Sequence, residues 1–487
     1  MKRRLLSKSK YLNGLQCHKY LWLLFNDKDK VLGPDASTQH VFDEGHRIGE
    51  LAKSLFPDGI DIPSDDFIGN LNKTREALKE NLPLFEPGFY VDGYFSRLDI
   101  LNPVGDGTWD IYEVKGSTSV KEINIHDVSF QRHCAQLAGL EIRRCFVVYI
   151  NNQYIKNGDI DPKQLFAVED VTDQVDEIAG GIEELAEEMW EVIASPTCPD
   201  IGIGPHCSDP YDCPVTWCRE CLPEHDIFNL YRGGEKCFDM FNKGILFVKD
   251  IPDSIKLSGM QKIQQTCEIN NEPYIDNKAI QGLLDSLQYP LYYLDFETFN
   301  PGIPIYNGTR PYQKVPFQFS LHVVGSLGAE SKHYGFLGDG TEDPRQAFLA
   351  ELKRVLCSRG SIIVYNQSFE KGVLAELGEA FPEYANWVQQ TYDRVVDLYA
   401  PFRSFSYYHP MQQGSASIKK VLPALTGKGY DGLSIGKGDD ASLAFFNMVM
   451  DTYTDEKKLT VCRDLEKYCA LDTEGMMWIV EELGHFI

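Results

Sequence analysis

Apolar residues recur at three- and four-residue spacing through the first sixty positions. "SKSKYLNGLQCHKYLWLLF" and "HVFDEGHRIGELAKSLF" therefore predict helices. From about residue 89 to 150 the pattern changes to runs rich in β-branched and aromatic residues: "GFYVDGYFSRLDIL", "WDIYEVKG" and "RRCFVVYIN". Gly and Asp punctuate them at "NPVGDGT", so the runs predict strands. A helix is expected over 124–140, "NIHDVSFQRHCAQLAGL", between the last two strands, giving a β-β-α-β order. An acidic helix follows at about 170–195, then a cysteine-rich stretch at 207–221, then a mainly helical connector over 226–288. A second α/β series begins at "PLYYLDFETF" and continues through "FQFSLHVV", a helix near 344–357 and the strand "SIIVY". Helices near 368–379 and 456–485 complete it, and no internal repeat stands out.

At 487 residues the chain exceeds one ordinary domain, and 43% hydrophobic residues supply ample core. No apolar run approaches the ~18–20 residues that span a bilayer. The basic start "MKRRLLSKSKYLNG" lacks the apolar stretch and small-residue cleavage site of a secretory signal. These features lead us to expect a cytoplasmic protein without membrane contact. In that reducing setting the thirteen cysteines suggest metal or cluster ligation wherever they bunch, not disulfides. The net charge of −25 argues against broad, nonspecific coating of a duplex, but it leaves room for an acidic metal site fed by a local basic track.

Three groups of residues carry candidate chemistry. In the first, "SRLDIL" places Asp99 near the end of one strand, while "IYEVKG" places Glu113 and Lys115 two apart, on one face of a neighbour. Two carboxylates hold a divalent cation through oxygen, and a lysine beside them orients water or stabilises a pentavalent phosphate. The plain alternative is a salt-bridged hairpin. The order Asp99, Glu113-x-Lys115, then Gln131 on the next helix resembles a PD-(D/E)XK nuclease of the RecB type. Many relatives carry Gln-x-x-x-Tyr, whereas Ala135 stands at the fourth position here. The resemblance also implies a metal-binding histidine on an early helix. His46 in "DEGHRIGELA" is the candidate, although the usual spacing falls on Gly49.

In the second group, Cys207, Cys213, Cys218 and Cys221 lie within "PHCSDPYDCPVTWCREC". Thiols this close suit a cation, either zinc or an iron–sulfur cluster. RecB-type nucleases with a cluster, including CRISPR-associated exonucleases, take one cysteine from an N-terminal helix and three from a later group. By that resemblance Cys17 is the first ligand, Cys207 and Cys213 follow, and Cys218 suits the last place better than Cys221. A [4Fe-4S] cluster is the implied cofactor, with zinc as the alternative.

The third group opens at "YYLDFETFN". Asp295 and Glu297 alternate with Leu294 and Phe296, so both acids point to one face of a strand, where they repel unless cations neutralise them. "YNQSFE" adds Glu370, "VVDLYAPF" offers Asp397, and "YCALDTEGM" places Tyr468 and Asp472 at i and i+4 on a helix. This set resembles the DEDD-type, ribonuclease H-like exonucleases with a catalytic tyrosine, except that Glu370 replaces the usual aspartate. Lys419 and Lys420 in "GSASIKKVLPAL" open a helix whose amides suit either a phosphate or an ordinary cap. Together these motifs resemble a bacterial domain family of unknown function commonly fused behind a RecB-like nuclease.

The expected fold is α/β: a restriction-endonuclease-like PD-(D/E)XK domain with its cysteine cluster over 1–225, a helical connector over 226–288, and a ribonuclease H-like domain over 289–487. The expected function is Mg²⁺- or Mn²⁺-dependent nuclease activity. Its metal ligands would be His46, Asp99 and Glu113 in one site and Asp295, Glu297 and Asp472 in the other. DNA with a single-stranded region or a free end is favoured over RNA as the partner. Lys8, Lys10, Lys19, Arg97, Arg132, Arg143 and Arg144 are the candidate strand contacts. The alternatives are an end-binding or assembly protein with reduced catalysis, and a zinc-stabilised RNA-processing exonuclease.

Overall fold

The computed structural model describes residues 3–63 and 65–487. It divides into two compact units, Met1–Cys221 with Gly302–Tyr312, and Leu222–Pro301 with Gln313–Ile487.

The first unit contains β1 (Leu6–Ser7), β2 (Ile60–Asp61), β3 (Leu84–Phe85), β4 (Gly88–Val91), β5 (Tyr94–Arg97), β6 (Ile100–Gly105), β7 (Thr108–Lys115), β8 (Glu141–Ile150) and β9 (Phe166–Asp170). Six of them form a mixed sheet in the order β2-β3-β6-β7-β8-β9, and the others form a small sheet, β1-β5-β4. The run "GFYVDGYFSRLDIL" breaks into three strands. Val91 pairs with Tyr94 across a two-residue turn in which Asp92 and Gly93 both have positive φ, the backbone a tight hairpin requires. A second break at Leu98 and Asp99 leaves Asp99 between β5 and β6. β6 and β7 are antiparallel, whereas β7 and β8 are parallel and joined by the helix Glu122–Leu137. That helix sends Val128, Phe130 and Cys134 into a core shared with Ile111, Val147 and Trp190. The acidic helix expected at 170–195 is two, Thr172–Ala179 and Ile182–Ala194, interrupted at Gly180 and Gly181 where helix propensity is lowest.

The second unit contains β10 (Tyr274–Ile275), β11 (Leu291–Phe299), β12 (Val315–Val324), β13 (Ser331–Leu337), β14 (Ile362–Val364), β15 (Val395–Asp397) and β16 (Tyr407–Tyr408). Its main sheet runs β13-β12-β11-β14-β15, antiparallel across the first three strands and parallel across the last three. Alternation along β11 decides where its side chains go. Tyr292, Leu294 and Phe296 pack on Phe348, Leu349 and Leu352 of the helix Arg345–Val355. Leu291 and Tyr293 face Met476 and Ile479 of the terminal helix Asp455–Gly484. Each such buried side chain contributes about 1.5–3 kcal/mol, so the strand's register is strongly fixed. The stretch 226–288 folds within this unit and includes the helices Glu235–Asn242, Gly259–Asn270 and Asn277–Ser286. Among the described residues, no helix is long and apolar enough to cross a membrane.

Candidate functional site

In the first unit, β7 delivers Glu113 and Lys115 to one face, and the following helix delivers Asp127 and Gln131, one turn apart. Asp99 lies where β5 gives way to β6, and its Oδ2 accepts a hydrogen bond from the Val114 amide at 2.7 Å. Lys115 Nζ lies 2.6 Å from both Glu113 Oε1 and Asp127 Oδ2. Gln131 Nε2 donates to Glu113 Oε2 at 2.7 Å and to Asp127 Oδ1 at 2.8 Å. Lys8, at the start of the helix Lys8–Gln16, places its Nζ 2.8 Å from Glu113 Oε1 and 3.5 Å from Asp127 Oδ1. Burial pushes both ammonium groups down. Asp127, Glu113 and Asp99 outweigh it and hold Lys8 and Lys115 above the ordinary lysine value. Asp127 was missed by the sequence reading, although its position four residues before Gln131 marks the same helix face. Lys8, expected as a nucleic-acid strand contact, meets Glu113 here, and nothing in the N-terminal sequence announces its proximity to β7.

His46 is exposed on the helix Ala36–Ala52. Among the described residues, ligand atoms from three His, Cys, Asp or Glu side chains gather within 4.8 Å at one place only, Asp295, Glu297 and Cys469. His46, Asp99 and Glu113 do not gather in this way. The expected strand contacts make pairs within the protein, as a chain with more acids than bases favours. Arg97 pairs with Glu86, Arg132 with Asp176, Arg143 with Asp110 and Arg144 with Asp170. Lys10 lies 4.2 Å over the Phe25 ring, and Lys19 donates to the Ile201 carbonyl.

Cys17, Cys207, Cys213 and Cys218 line a single cavity of about 280 Å³ in the same unit, beside Lys19 and His206. Cys17 separates the helices Lys8–Gln16 and His18–Asn26. Gln16 Nε2 ties that junction to the later loop by donating to the His206 and Tyr211 carbonyls at 2.8 and 2.6 Å. Burial raises the Cys213 thiol, and Cys17, Cys207 and Cys218 add to the rise. Cys221 is exposed and does not line the cavity.

In the second unit, a cavity of about 150 Å³ is lined by Asp295, Glu297, Tyr365, Lys419, Tyr468 and Asp472, with Ile418 and Met476 as its apolar wall. β11 supplies the first two acids, the helix Ile418–Thr426 supplies Lys419, and the terminal helix supplies Tyr468 and Asp472 from one face. The Tyr430 hydroxyl donates to Asp472 Oδ1, and Cys469 Sγ lies 3.7 Å from Asp295 Oδ2. Lys419 Nζ donates to the Gly436 carbonyl at 2.6 Å while lying 5.2 Å from the Tyr468 ring centre. Glu370, 1% exposed on the helix Gln367–Ala380, has an unpartnered Oε2 and does not line the cavity. Asp397 instead organises the chain before that helix, accepting from the Asn366 and Tyr399 amides at 3.1 Å each.

Burial first, and neighbouring charge second, govern these acids. Asp295 is held well above the usual carboxyl range by burial and the Asp472 charge, and Glu297 by burial, Asp295 and Asp472. Glu370 is raised in the same sense by burial and Asp295. Asp472 is pushed up to about 6 by burial, against the hydrogen bond from Tyr430 and the charge of Lys419. Without protons or cations, such a group of carboxylates cannot all ionise at neutral pH. Cys469 and Tyr430 were not singled out in the sequence. Cys469 directly follows Tyr468, but Tyr430 sits in a loop with no periodic signal.

The molecule is thus a two-unit mixed α/β protein with a buried carboxylate cluster in each unit. Residues 292–417 match the model of a family described as "Domain of unknown function (DUF2779)". An uncharacterized protein of Mycoplasma genitalium, MG366, is 30% identical over 207 residues, covering 39% of this chain and 31% of the relative. Uncharacterized protein UU173 of Ureaplasma parvum is 28% identical over 231 residues, covering 43% and 33%. The chain spans about a third of the length of these curated relatives.

Proposed function

We propose that the chain is a divalent-metal-dependent nuclease that hydrolyses phosphodiester bonds, acting as an exonuclease on DNA with a single-stranded region or a free end. The observation that carries this reading is the convergence of Asp295, Glu297, Tyr468 and Asp472 on one small cavity. Strand order supports a ribonuclease H-like fold for the second unit: three antiparallel strands, with two parallel strands beyond the acid-bearing β11. In the first unit, antiparallel β6 and β7 followed by a helix and the parallel β8 support the restriction-endonuclease-like reading.

Asp295, Glu297 and Asp472 would hold a Mg²⁺ or Mn²⁺ ion, whose charge would lower the pKa of water and stabilise the departing oxygen. The chain's own groups do the rest. Tyr468 orients the attacking water by its hydroxyl, and Lys419 provides positive charge beside the negative charge carried by the phosphoryl oxygens. In the first unit, Lys115 takes the corresponding electrostatic part next to Asp99 and Glu113.

Cys17, Cys207, Cys213 and Cys218 fit an iron–sulfur cluster as a structural staple. A tetrahedral zinc site with Zn–S near 2.3 Å brings its sulfurs to about 3.8 Å from one another. A [4Fe-4S] cluster would instead spread the same four thiolates over several irons, and zinc on them is the alternative. Free cysteines throughout suit a reducing cytoplasm.

A second reading, an end-binding protein without turnover, rests on Glu370 standing off the cavity lining. The test is cleavage of end-labelled single- and double-stranded DNA and RNA by anaerobically purified protein with Mn²⁺ or Mg²⁺. It compares wild type, Lys115→Ala, Asp295→Ala and the double variant. Loss with one variant assigns the chemistry to that unit, and preferential cleavage of RNA replaces the DNA assignment. Binding of ends without cleavage by wild type refutes the nuclease reading in favour of the second.

A further inference from the structure

The acid–acid–lysine pattern of the first unit supplies one ammonium group, yet its carboxylates meet two. Both Lys8 and Lys115 bond Glu113 Oε1, and Gln131 occupies Glu113 Oε2, so every oxygen of this 1%-exposed carboxylate is taken. A cation binding Glu113 Oε1 must displace one of these two ammonium groups. The distances indicate which. Lys115 makes two contacts of 2.6 Å, to Glu113 and Asp127, whereas Lys8 makes one of 2.8 Å and a looser one of 3.5 Å.

The backbone that carries Lys8 is fixed. Leu6 and Ser7 pair in parallel with Tyr94 and Phe95, the Ser7 hydroxyl caps the helix at the Lys10 amide, and Tyr11 stacks on Phe130 at 4.6 Å. Movement is therefore confined to the lysine side chain, which has rotatable bonds to spare and remains partly exposed.

We propose that Lys8 is a displaceable counter-ion of the first site. It neutralises Glu113 and Asp127 in the metal-free protein, yields Glu113 Oε1 to a divalent cation, and then turns its charge to a backbone phosphate of the nucleic acid. Asp127 is the acid that retains Lys115 during the exchange. Lys8 is thus a positioning residue, and its role rests on the nuclease reading of this site. The covalent reaction is unchanged, because only ion pairs are exchanged.

The experiment measures Mn²⁺ binding by electron paramagnetic resonance without nucleic acid, in full-length protein carrying Asp295→Ala to silence the second site. Lys8→Met is compared with Lys8 intact, with Lys8→Arg as the charge-preserving control and Asp99→Ala to identify the site observed. The expected result is Mn²⁺ affinity at least threefold tighter in Lys8→Met, near-unchanged affinity in Lys8→Arg, and weaker oligonucleotide binding by Lys8→Met at saturating Mn²⁺. If Lys8→Met does not fold, Lys8→Gln, which keeps a hydrogen-bond donor there, is expected to show the same direction. Equal or weaker Mn²⁺ affinity in the folded neutral variant overturns the proposal and leaves Lys8 as a structural ion pair. Tighter Mn²⁺ binding with no cleavage by any protein upholds the counter-ion role while refuting the nuclease reading.

Discussion

Replacing Asp295 by asparagine removes one charge from the group formed with Glu297, Glu370 and Asp472, and should change stability in a pH- and metal-dependent way. In the folded protein burial holds all four carboxyls above their ordinary range, and neighbouring acids add to the rise at Asp295, Glu297 and Glu370, whereas in the unfolded chain they titrate near 3.9–4.3. The folded state therefore binds more protons than the unfolded state above pH ~4, and the associated stability is lost as pH rises through the folded values. Asp472 gauges the size: moving a carboxyl from 3.8 to about 6 corresponds to ~3 kcal/mol at 1.36 kcal/mol per pH unit. We expect metal-free Asp295→Asn to gain on wild type between pH 5 and pH 8, by on the order of 2–3 kcal/mol. At roughly 2–4 °C per kcal/mol, that is ~5–10 °C in Tm. A divalent cation at a hundred times its Kd adds ~2.7 kcal/mol, so Mn²⁺ should raise the wild-type Tm at pH 8 by a similar amount. The same addition should have a smaller effect at pH 5 and on Asp295→Asn, where the response that remains is that of the first site. Differential scanning calorimetry on the full chain provides the readout. An Asp295→Asn protein that is less stable than wild type at pH 8, or equally responsive to Mn²⁺, refutes the electrostatic account.

Other consequences are simpler to test. Cys213→Ser should lose bound iron and the visible absorption of the anaerobically purified protein, while Cys221→Ser keeps both, as an iron assay and a spectrum will show. A pocket in the first unit lined by Ser117, Thr118, Ser119, Lys121 and Arg310 directly follows Lys115 in sequence. If single-stranded nucleic acid crosses it, Lys121→Ala and Arg310→Ala should each reduce the slope of log affinity against log salt by about 0.7. His322 is lowered to about 4 by burial and by His333, so its contribution is present above pH 6.5 and lost as pH falls toward 4. Discounted for partial exposure, this is about 1.5 kcal/mol, and His322→Gln should flatten the acid limb of the urea-denaturation profile by that amount.

Periodicity made much of the architecture readable in advance. The alternation in "YYLDFETF" leaves Asp295 and Glu297 no face but the one opposite Leu294 and Phe296, and the i, i+4 spacing of Tyr468 and Asp472 holds on one continuous helix. What stayed hidden depends on contacts distant in sequence. Lys8 meets Glu113 across more than a hundred residues, and Tyr430 reaches Asp472 from a loop. Neither contact leaves a local pattern. His46, expected from its residue type on a predicted helix, is exposed there and does not gather with Asp99 and Glu113 within 4.8 Å. The stretch 226–288 carries helices as its sequence suggests, but its placement as part of the second unit rests on contacts that leave no local pattern.

The allocation of Gly302–Tyr312 to the first unit has a practical corollary for dissecting the protein. Tyr312 donates its hydroxyl to the Gly116 carbonyl, and the Thr309 carbonyl accepts from the Lys156 amide. A fragment ending near residue 225 therefore lacks the strap that covers the end of β7, while a fragment trimmed to 292–417 carries that strap without its anchor and omits Lys419, Tyr468 and Asp472. Neither gene fragment contains the whole of one compact unit. Expression trials and domain-swap libraries should cut this chain according to its discontinuous contacts, not at the borders that sequence similarity draws.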